Sequence, residues 1–338
     1  MSLAVVFTER FSDHDTPPGH PERPERAHVM AGVAERWRAA GGEVVAPRAA
    51  TREQLQRVHD ARYIQQIAET AGQAIALDPD TYTSPDTYDI ALLAAGAVVD
   101  GVERVMTNGG SALALVRPPG HHAERGRAMG FCVFNNVAVG AAHARALGAA
   151  RVAIVDYDVH HGNGTQHTFE SDPNVLYVSV HQFPFYPGTG AADEVGTGSG
   201  RGFTVNVPVD VGAVDEDYQL VFTEVIVPAL QRFKPDVLIV SAGFDAHERD
   251  PLAGMRLSTD AFSAMTVELR RVADQCCDGR MVLVTEGGYD LRALEASLNG
   301  VVDALAAPPA EPVWPSSGIV SSRGRRAVDE VRRAQTPN

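Results

Sequence analysis

Ile154-Val155-Asp156-Tyr157-Asp158-Val159-His160-His161-Gly162-Asn163-Gly164 is the stretch on which the reading of this chain turns. The apolar run Val152 to Val155 that leads into it has the make-up of a buried β-strand. Asp158 and His160 stand two residues apart, so in extended backbone their side chains point to the same side. A carboxylate oxygen and an imidazole nitrogen placed together at a strand end can share a divalent metal. The glycines that follow let the chain turn away and leave such a site open. Taken alone, the segment also reads as a polar surface turn, and the rest of the chain has to decide.

Outward from it, apolar β-branched runs alternate with helical patterns. Strand candidates are Leu3–Phe7, Ala112–Val116, Val152–Asp156, Val175–Val180, Thr204–Val207, Val237–Ser241 and Met281–Thr285. Helix candidates include Ala91–Met106, Asn136–Leu147, Tyr218–Phe233, Thr259–Gln275 and Leu291–Leu305. This rhythm predicts an α/β protein: a mainly parallel sheet with helices on both faces. No repeat or linker-like break interrupts residues 1–306. Beyond them lies a tail, 307–338, rich in Pro and Ser from Ala307 to Ser317, with a short helix predicted over Arg323–Gln335. The sequence leaves open whether that tail packs back on the domain or moves. The loops Asp78–Tyr88 and Gln182–Arg201 are rich in Pro, Gly, Asp and Tyr and read equally as binding loops or as surface excursions.

Composition narrows the function. With 338 residues, 44% apolar and 21% charged, the chain can bury a substantial core. No run approaches the roughly 18 apolar residues that span a bilayer. Met1 to Phe7 reads as a first strand, not a signal peptide. Three cysteines, Cys132, Cys276 and Cys277, make no paired framework and fit a reducing cytoplasm, so a metal must be held mainly by His, Asp or Glu. A net charge of −14 argues against nucleic acid as a partner. Oligomeric state stays open, a homo-oligomer included.

In open α/β sheets, ligands bind at the carboxyl ends of the strands. Four predicted strands there deliver Arg117-Pro118-Pro119-Gly120-His121-His122, then Asp156, Asp158 and His160, then Ala242 to His247 with Asp245, then Glu286-Gly287-Gly288-Tyr289-Asp290. Asp158, His160 and Asp245 supply three ligands and leave a position for water or substrate, as a catalytic zinc requires. A two-metal centre would want an acidic group two residues past His160, where Gly162 stands, so the site is expected to be mononuclear. The tandem His121-His122 fits proton transfer. Tyr289 can donate to an oxyanion, although Gly-Gly-Tyr is also an ordinary turn.

These motifs resemble those of the histone deacetylase and acetylpolyamine amidohydrolase superfamily, with its single-domain, three-layer arginase-deacetylase fold of about eight strands. The resemblance runs in order through His20-Pro21-Glu22-Arg23-Pro24-Glu25-Arg26, Arg117–His122, Gly130-Phe131-Cys132-Val133-Phe134-Asn135-Asn136, Asp156–Gln166, Pro187–Gly190, Ser241–Asp245 and Glu286–Asp290. It implies that 1–306 is a catalytic domain that removes acyl groups from amine nitrogens. Zinc would sit on Asp158, His160 and Asp245, and iron or cobalt suit the same ligands. Tyr289 would bind the oxyanion, with His122 as base and then acid and His121 as its electrostatic partner. Structural K+ or Na+ would lie at Asp156, Asp158, His160, Ser179 and Val180, and at Phe169, Asp172, Val175 and Phe203. Phe131 and Tyr186 match the aromatic walls of an acyl-lysine tunnel, with Gly130, Leu252, Gly287 and Gly288 around it.

Three positions refine the resemblance. Asn163 is the class II pattern, where class I has aspartate. A carboxylate partner favours imidazolium and a neutral amide does not. His121, paired with Asp156, is therefore expected to be the protonated one, and His122, near Asn163, the neutral one. Tyr289 stands where a weakly active class II branch has histidine. Leu252 stands where a polyamine-selective eukaryotic branch has a glutamate, although bacterial polyamine enzymes select by narrow channels and subunit pairing. The expected substrate is an acetylated lysine peptide or protein. An acetylated small amine such as a polyamine is the alternative, and a silent acyl-amine binding module the third. His161 is left without a role.

Overall fold

The computed structural model describes residues 2–316, 318–320 and 322–336, so Met1 and, in the tail, Ser317, Ser321, Pro337 and Asn338 lie outside the described residues. The apolar runs form eight strands: β1 Leu3–Val6, β2 Glu43–Val45, β3 Ser111–Ala114, β4 Val152–Asp156, β5 Val175–Gln182, β6 Thr204–Val209, β7 Val237–Ala242 and β8 Met281–Thr285. All neighbours pair in parallel, in the order β2-β1-β3-β8-β7-β4-β5-β6. Every residue of β4, β7 and β8 is buried, as continuous β-branched runs require when helices cover both faces of a parallel sheet. Helices Thr87–Asn108 and Asn136–Ala146 pack together against β3, β8, β4 and β7. Glu25–Ala39, Leu291–Ala306 and Thr259–Cys276 pack in a row, one on the next.

An edge strand and a broken helix are among the elements that differ from the sequence reading. The edge strand β2 was not foreseen, because three residues are too few to show a period. The helix expected over Tyr218–Phe233 runs as Asp215–Val221, a wider π turn at Phe222–Ile226, then Val227–Phe233. Pro228 accounts for the widening: it brings no N–H for the Glu224 carbonyl, and its ring crowds that carbonyl outward.

The tail helix Arg323–Gln335 packs back on the domain, with Ala327, Val328 and Val331 buried. Arg325 and Arg332 both reach Glu224, at 2.7 Å each, and Gln335 Nε2 donates to the Thr204 carbonyl at 2.8 Å.

Register sets the site. Asp156 is level with Ser179 of β5 and Ser241 of β7, so β4 and β7 end at nearly one height while β5 runs on to Gln182.

Candidate active site

Glu286, just past β8, knits the strand ends together. It accepts from the backbone N–H of Gly120 at 2.7 Å and of His121 at 3.2 Å, and from Ser241 Oγ at 3.0 Å. Burial raises its carboxyl to about 7, even against the charge of His121. This fixes the Pro-Gly turn that brings His121 and His122 over β4.

There, ligand atoms of Asp158, His160 and Asp245 lie within 4.8 Å of one another. His160 Nδ1 is 3.1 Å from Asp158 Oδ1 and 3.2 Å from Asp245 Oδ2. Donors on a tetrahedron about 2.0–2.1 Å from a metal would stand roughly 3.3 Å apart, so the spacing suits an ion among them. Three donor atoms are already anchored: Asp158 Oδ1 accepts from His160 N at 2.9 Å, Asp158 Oδ2 from Gly287 N at 2.8 Å, and Asp245 Oδ1 from Val159 N at 2.9 Å. Asp245 Oδ2 is buried with no hydrogen-bond partner among the described residues despite its closeness to His160, the orphan acceptor that a cation would satisfy. Glycine is required around these carboxylates. A Cβ on Gly243 would meet Asp158 Oδ2 at 2.1 Å, and one on Gly287 would meet Asp245 Oδ2 at 2.1 Å. At Gly162 a Cβ would strike Asp156 Oδ2 at 2.3 Å and the Tyr177 hydroxyl at 2.6 Å, so no further ligand fits there.

The two imidazoles sit with rings 4.1 Å apart. His121 Nδ1 is 3.0 Å from Asp156 Oδ2, whose other donor is the Tyr177 hydroxyl at 3.1 Å. Burial opposes a charge on His121, but Asp156, Asp158 and Glu286 together carry it up to about 10. His122 Nδ1 is 2.8 Å from Asn163 Oδ1. Burial, then the neighbouring His121 and His160, hold His122 well below the ordinary histidine range. The surroundings thus favour the charged form of one imidazole and the neutral form of its neighbour.

Both face a narrow cavity of about 80 Å³, walled by Phe131, Tyr186, Pro119 and Gly130, with His160, Gly287 and Tyr289 also lining it and Asp80 and Leu252 beside them. Tyr186 meets the His122 ring edge-on at 5.1 Å, and Phe131 meets Tyr289 edge-on at 5.9 Å. Phe131 has a φ of 68°, a left-handed backbone that turns its ring into the wall. Burial and Asp245 hold the Tyr289 phenol well above its ordinary range, although Arg26 pulls the other way, so it stays a donor. Gly288 does not line this cavity. It turns behind the wall, and its carbonyl accepts from Arg26 Nε at 2.8 Å. Size does not mark the site: a cavity of about 850 Å³ between Leu176, Val205, Phe233 and Val331 contains none of the strand-end residues.

The order of these motifs is matched by a family model. The histone deacetylase domain aligns with residues 20–305, which carry every residue of the strand-end site. This chain belongs to the histone deacetylase domain family. It is 40% identical over 349 residues to Histone deacetylase 15 of Arabidopsis thaliana, covering 99% of this chain and 62% of that protein. It is also 38% identical over 311 residues to a probable deacetylase of Archaeoglobus fulgidus, covering 90% of this chain and 87% of that one. The crystal structure of the HDA15 HD domain superposes with a TM-score of 0.89 at 39% identity, over 98% of this chain and 95% of that one. The eight-stranded parallel sheet is therefore the arginase-deacetylase fold of this family.

Several residues around this site escaped the sequence reading. Glu286 and Arg26 fell inside quoted motifs but gave no sign of their partners. Arg26 holds Glu22 at 3.0 Å and the Gly288 carbonyl, and stands 5.2 Å over the Tyr289 ring. Tyr177 was only a strand residue. His161 now has partners: Nδ1 to Thr189 Oγ1 at 2.8 Å and Nε2 to Gln166 Oε1 at 2.9 Å, which pin the loop after Tyr186.

Proposed function

We propose that the chain is a zinc-dependent amidohydrolase that removes acetyl or other acyl groups from lysine side chains or related amines. One observation carries this: His160, whose ligand nitrogen is grouped with carboxylate oxygens of Asp158 and Asp245, lines the same narrow cavity as the His122 imidazole and the Tyr289 phenol. A bound zinc ion would polarise the acyl carbonyl and make water a nucleophile at neutral pH. Phe131 and Tyr186 hold a straight chain between their rings and exclude water from its flanks. His122 takes the proton of the attacking water and later returns it to the leaving amine. His121, kept cationic by Asp156, favours the neutral form of His122 and the negative charge that develops on the acyl oxygen. Tyr289 donates to that oxygen.

Asp156, Ser179 and Val180 with the metal ligands, and separately Phe169, Asp172, Val175 and Phe203, are the groups we assign to structural K+ or Na+; their carbonyls each retain a second lone pair. The cysteine content supports a cytoplasmic setting, and no described helix is long and apolar enough to cross a membrane.

A second reading, acetylpolyamine hydrolysis, draws on Asp80, which lines the cavity beside Asp78 and would welcome a distal ammonium. Leu252 in the same lining favours the first reading. Turnover of an acetyl-lysine fluorogenic peptide, acetylputrescine and acetylspermine, each with and without chelator, tests both. Chelator-sensitive release of acetate supports the reaction, and no release from any substrate refutes it and leaves a binding module.

A further inference from the structure

An asparagine has two unlike ends, and a base that leans on one needs the right end presented. We infer that Glu124 is a positioning residue that acts through Asn163 to fix which nitrogen of His122 is free, an inference that rests on the amidohydrolase reading above. On the side of the amide away from His122, Asn163 Nδ2 donates to Glu124 Oε1 at 2.5 Å, with the His122 carbonyl and Met129 Sδ each at 3.4 Å. All three are acceptors. A carboxylate has no proton to give, so it selects the nitrogen end of the amide. Oδ1 is thereby turned to His122 Nδ1, 2.8 Å away. An amide oxygen only accepts, so Nδ1 carries the imidazole proton and Nε2 keeps its lone pair. With the amide reversed, its N–H would call for a bare Nδ1, the proton would move to Nε2, and the base would be blocked.

Glu124 is equipped to stay anionic. Burial works against its charge, but hydrogen bonds from His167 and Asn163 and the charge of Arg127 hold its carboxyl below the ordinary range. His167 Nδ1 lies 2.9 Å from the same oxygen, and its side chain is 44% exposed. Asn163 and His167 are four apart on the helix Asn163–Phe169, so one helix face presents both donors to Glu124. The row His167, Glu124, Asn163, His122 therefore runs from solvent to the base. An aspartate at 163 would need none of this, because both of its ends accept.

The test uses the metal-loaded protein labelled with 15N-histidine, in which imidazole nitrogen shifts report the His122 tautomer, together with kcat and KM on an acetyl-lysine peptide. Wild type and Glu124→Gln, which keeps an acceptor for Asn163, are expected to show the Nδ1–H form. Glu124→Lys presents a donor instead. It is expected to move His122 toward Nε2–H and to lower kcat by at least about tenfold, a partial loss of the roughly 10²–10⁴-fold that a general base supplies, with KM within about twofold. Combining E124K with N163D, whose carboxylate accepts from both sides, is expected to restore the Nδ1–H form and most of kcat. Should E124K not fold, Glu124→Ala is expected to give mixed tautomers where E124Q does not. A wild type in the Nε2–H form, or a tautomer indifferent to all these changes, overturns the inference. If the tautomers move as stated while no variant, wild type included, hydrolyses any acylated amine, the positioning stands and the amidohydrolase reading falls.

Discussion

Tyr289→Phe removes one oxygen and little else. The ring is 7% exposed, seated between Phe131 at 5.9 Å and the Arg26 guanidinium at 5.2 Å, and phenylalanine fills the same space. The hydroxyl has no hydrogen-bond partner among the described residues, so its loss leaves no protein group unsatisfied, and thermal stability should change by less than about 0.5 kcal/mol. Catalysis should respond differently. Burial keeps the phenol protonated across the working pH range, so it is a permanent donor aimed at the cavity. Deleting one oxyanion donor costs about 2.7–4 kcal/mol, or on the order of 10²–10³ in kcat, with little change in KM because the developing charge is absent in the ground state. Steady-state kinetics on an acetyl-lysine peptide, with melting curves alongside, give both numbers. Full turnover by the variant would remove Tyr289 from the mechanism, and an equal loss of stability and rate would make its role structural.

Other perturbations test neighbouring parts. Asn163→Asp puts a charge against His122 and should raise its pKa; because the base must be neutral, the acidic limb of the pH–rate profile moves up, and superimposable profiles would contradict the pairing. Stripping the metal with a chelator should abolish turnover, and zinc should restore it at one equivalent per chain, whereas a requirement for two would defeat the steric argument at Gly162. Leu252→Glu should raise kcat/KM for acetylspermine relative to the peptide by about two- to fivefold, the worth of a partly exposed ion pair, and an unchanged ratio would separate that position from selectivity. His161→Phe, which gives up Thr189 and Gln166, should cost about 1–3 kcal/mol in stability and raise KM by loosening the loop behind Tyr186; a wild-type KM would limit His161 to folding.

Seven of the eight strands are legible as apolar runs, because a buried parallel strand must be apolar on both faces. Asp158 and His160 are legible together because two-residue spacing fixes a shared side of a strand end. Glu286 and Arg26 are not, since their partners lie far along the chain: Arg26 meets a carbonyl 262 residues away. Periodicity reports which side a residue faces, never which backbone N–H its carboxylate will meet. Glu124 shows the same limit. It follows His122 by two positions in a loop, and its carboxylate finds its hydrogen-bond partners, among the described residues, on the helix begun at Asn163.

The docked tail helix bears on the company this protein keeps with itself. β6 ends the sheet, and an uncovered terminal strand invites another chain to add to the ladder. Gln335 takes up the Thr204 carbonyl, and the Glu224 clamps hold the helix against that border. The helix Arg323–Gln335 thus works as a selvedge, finishing the border of the fabric along β6.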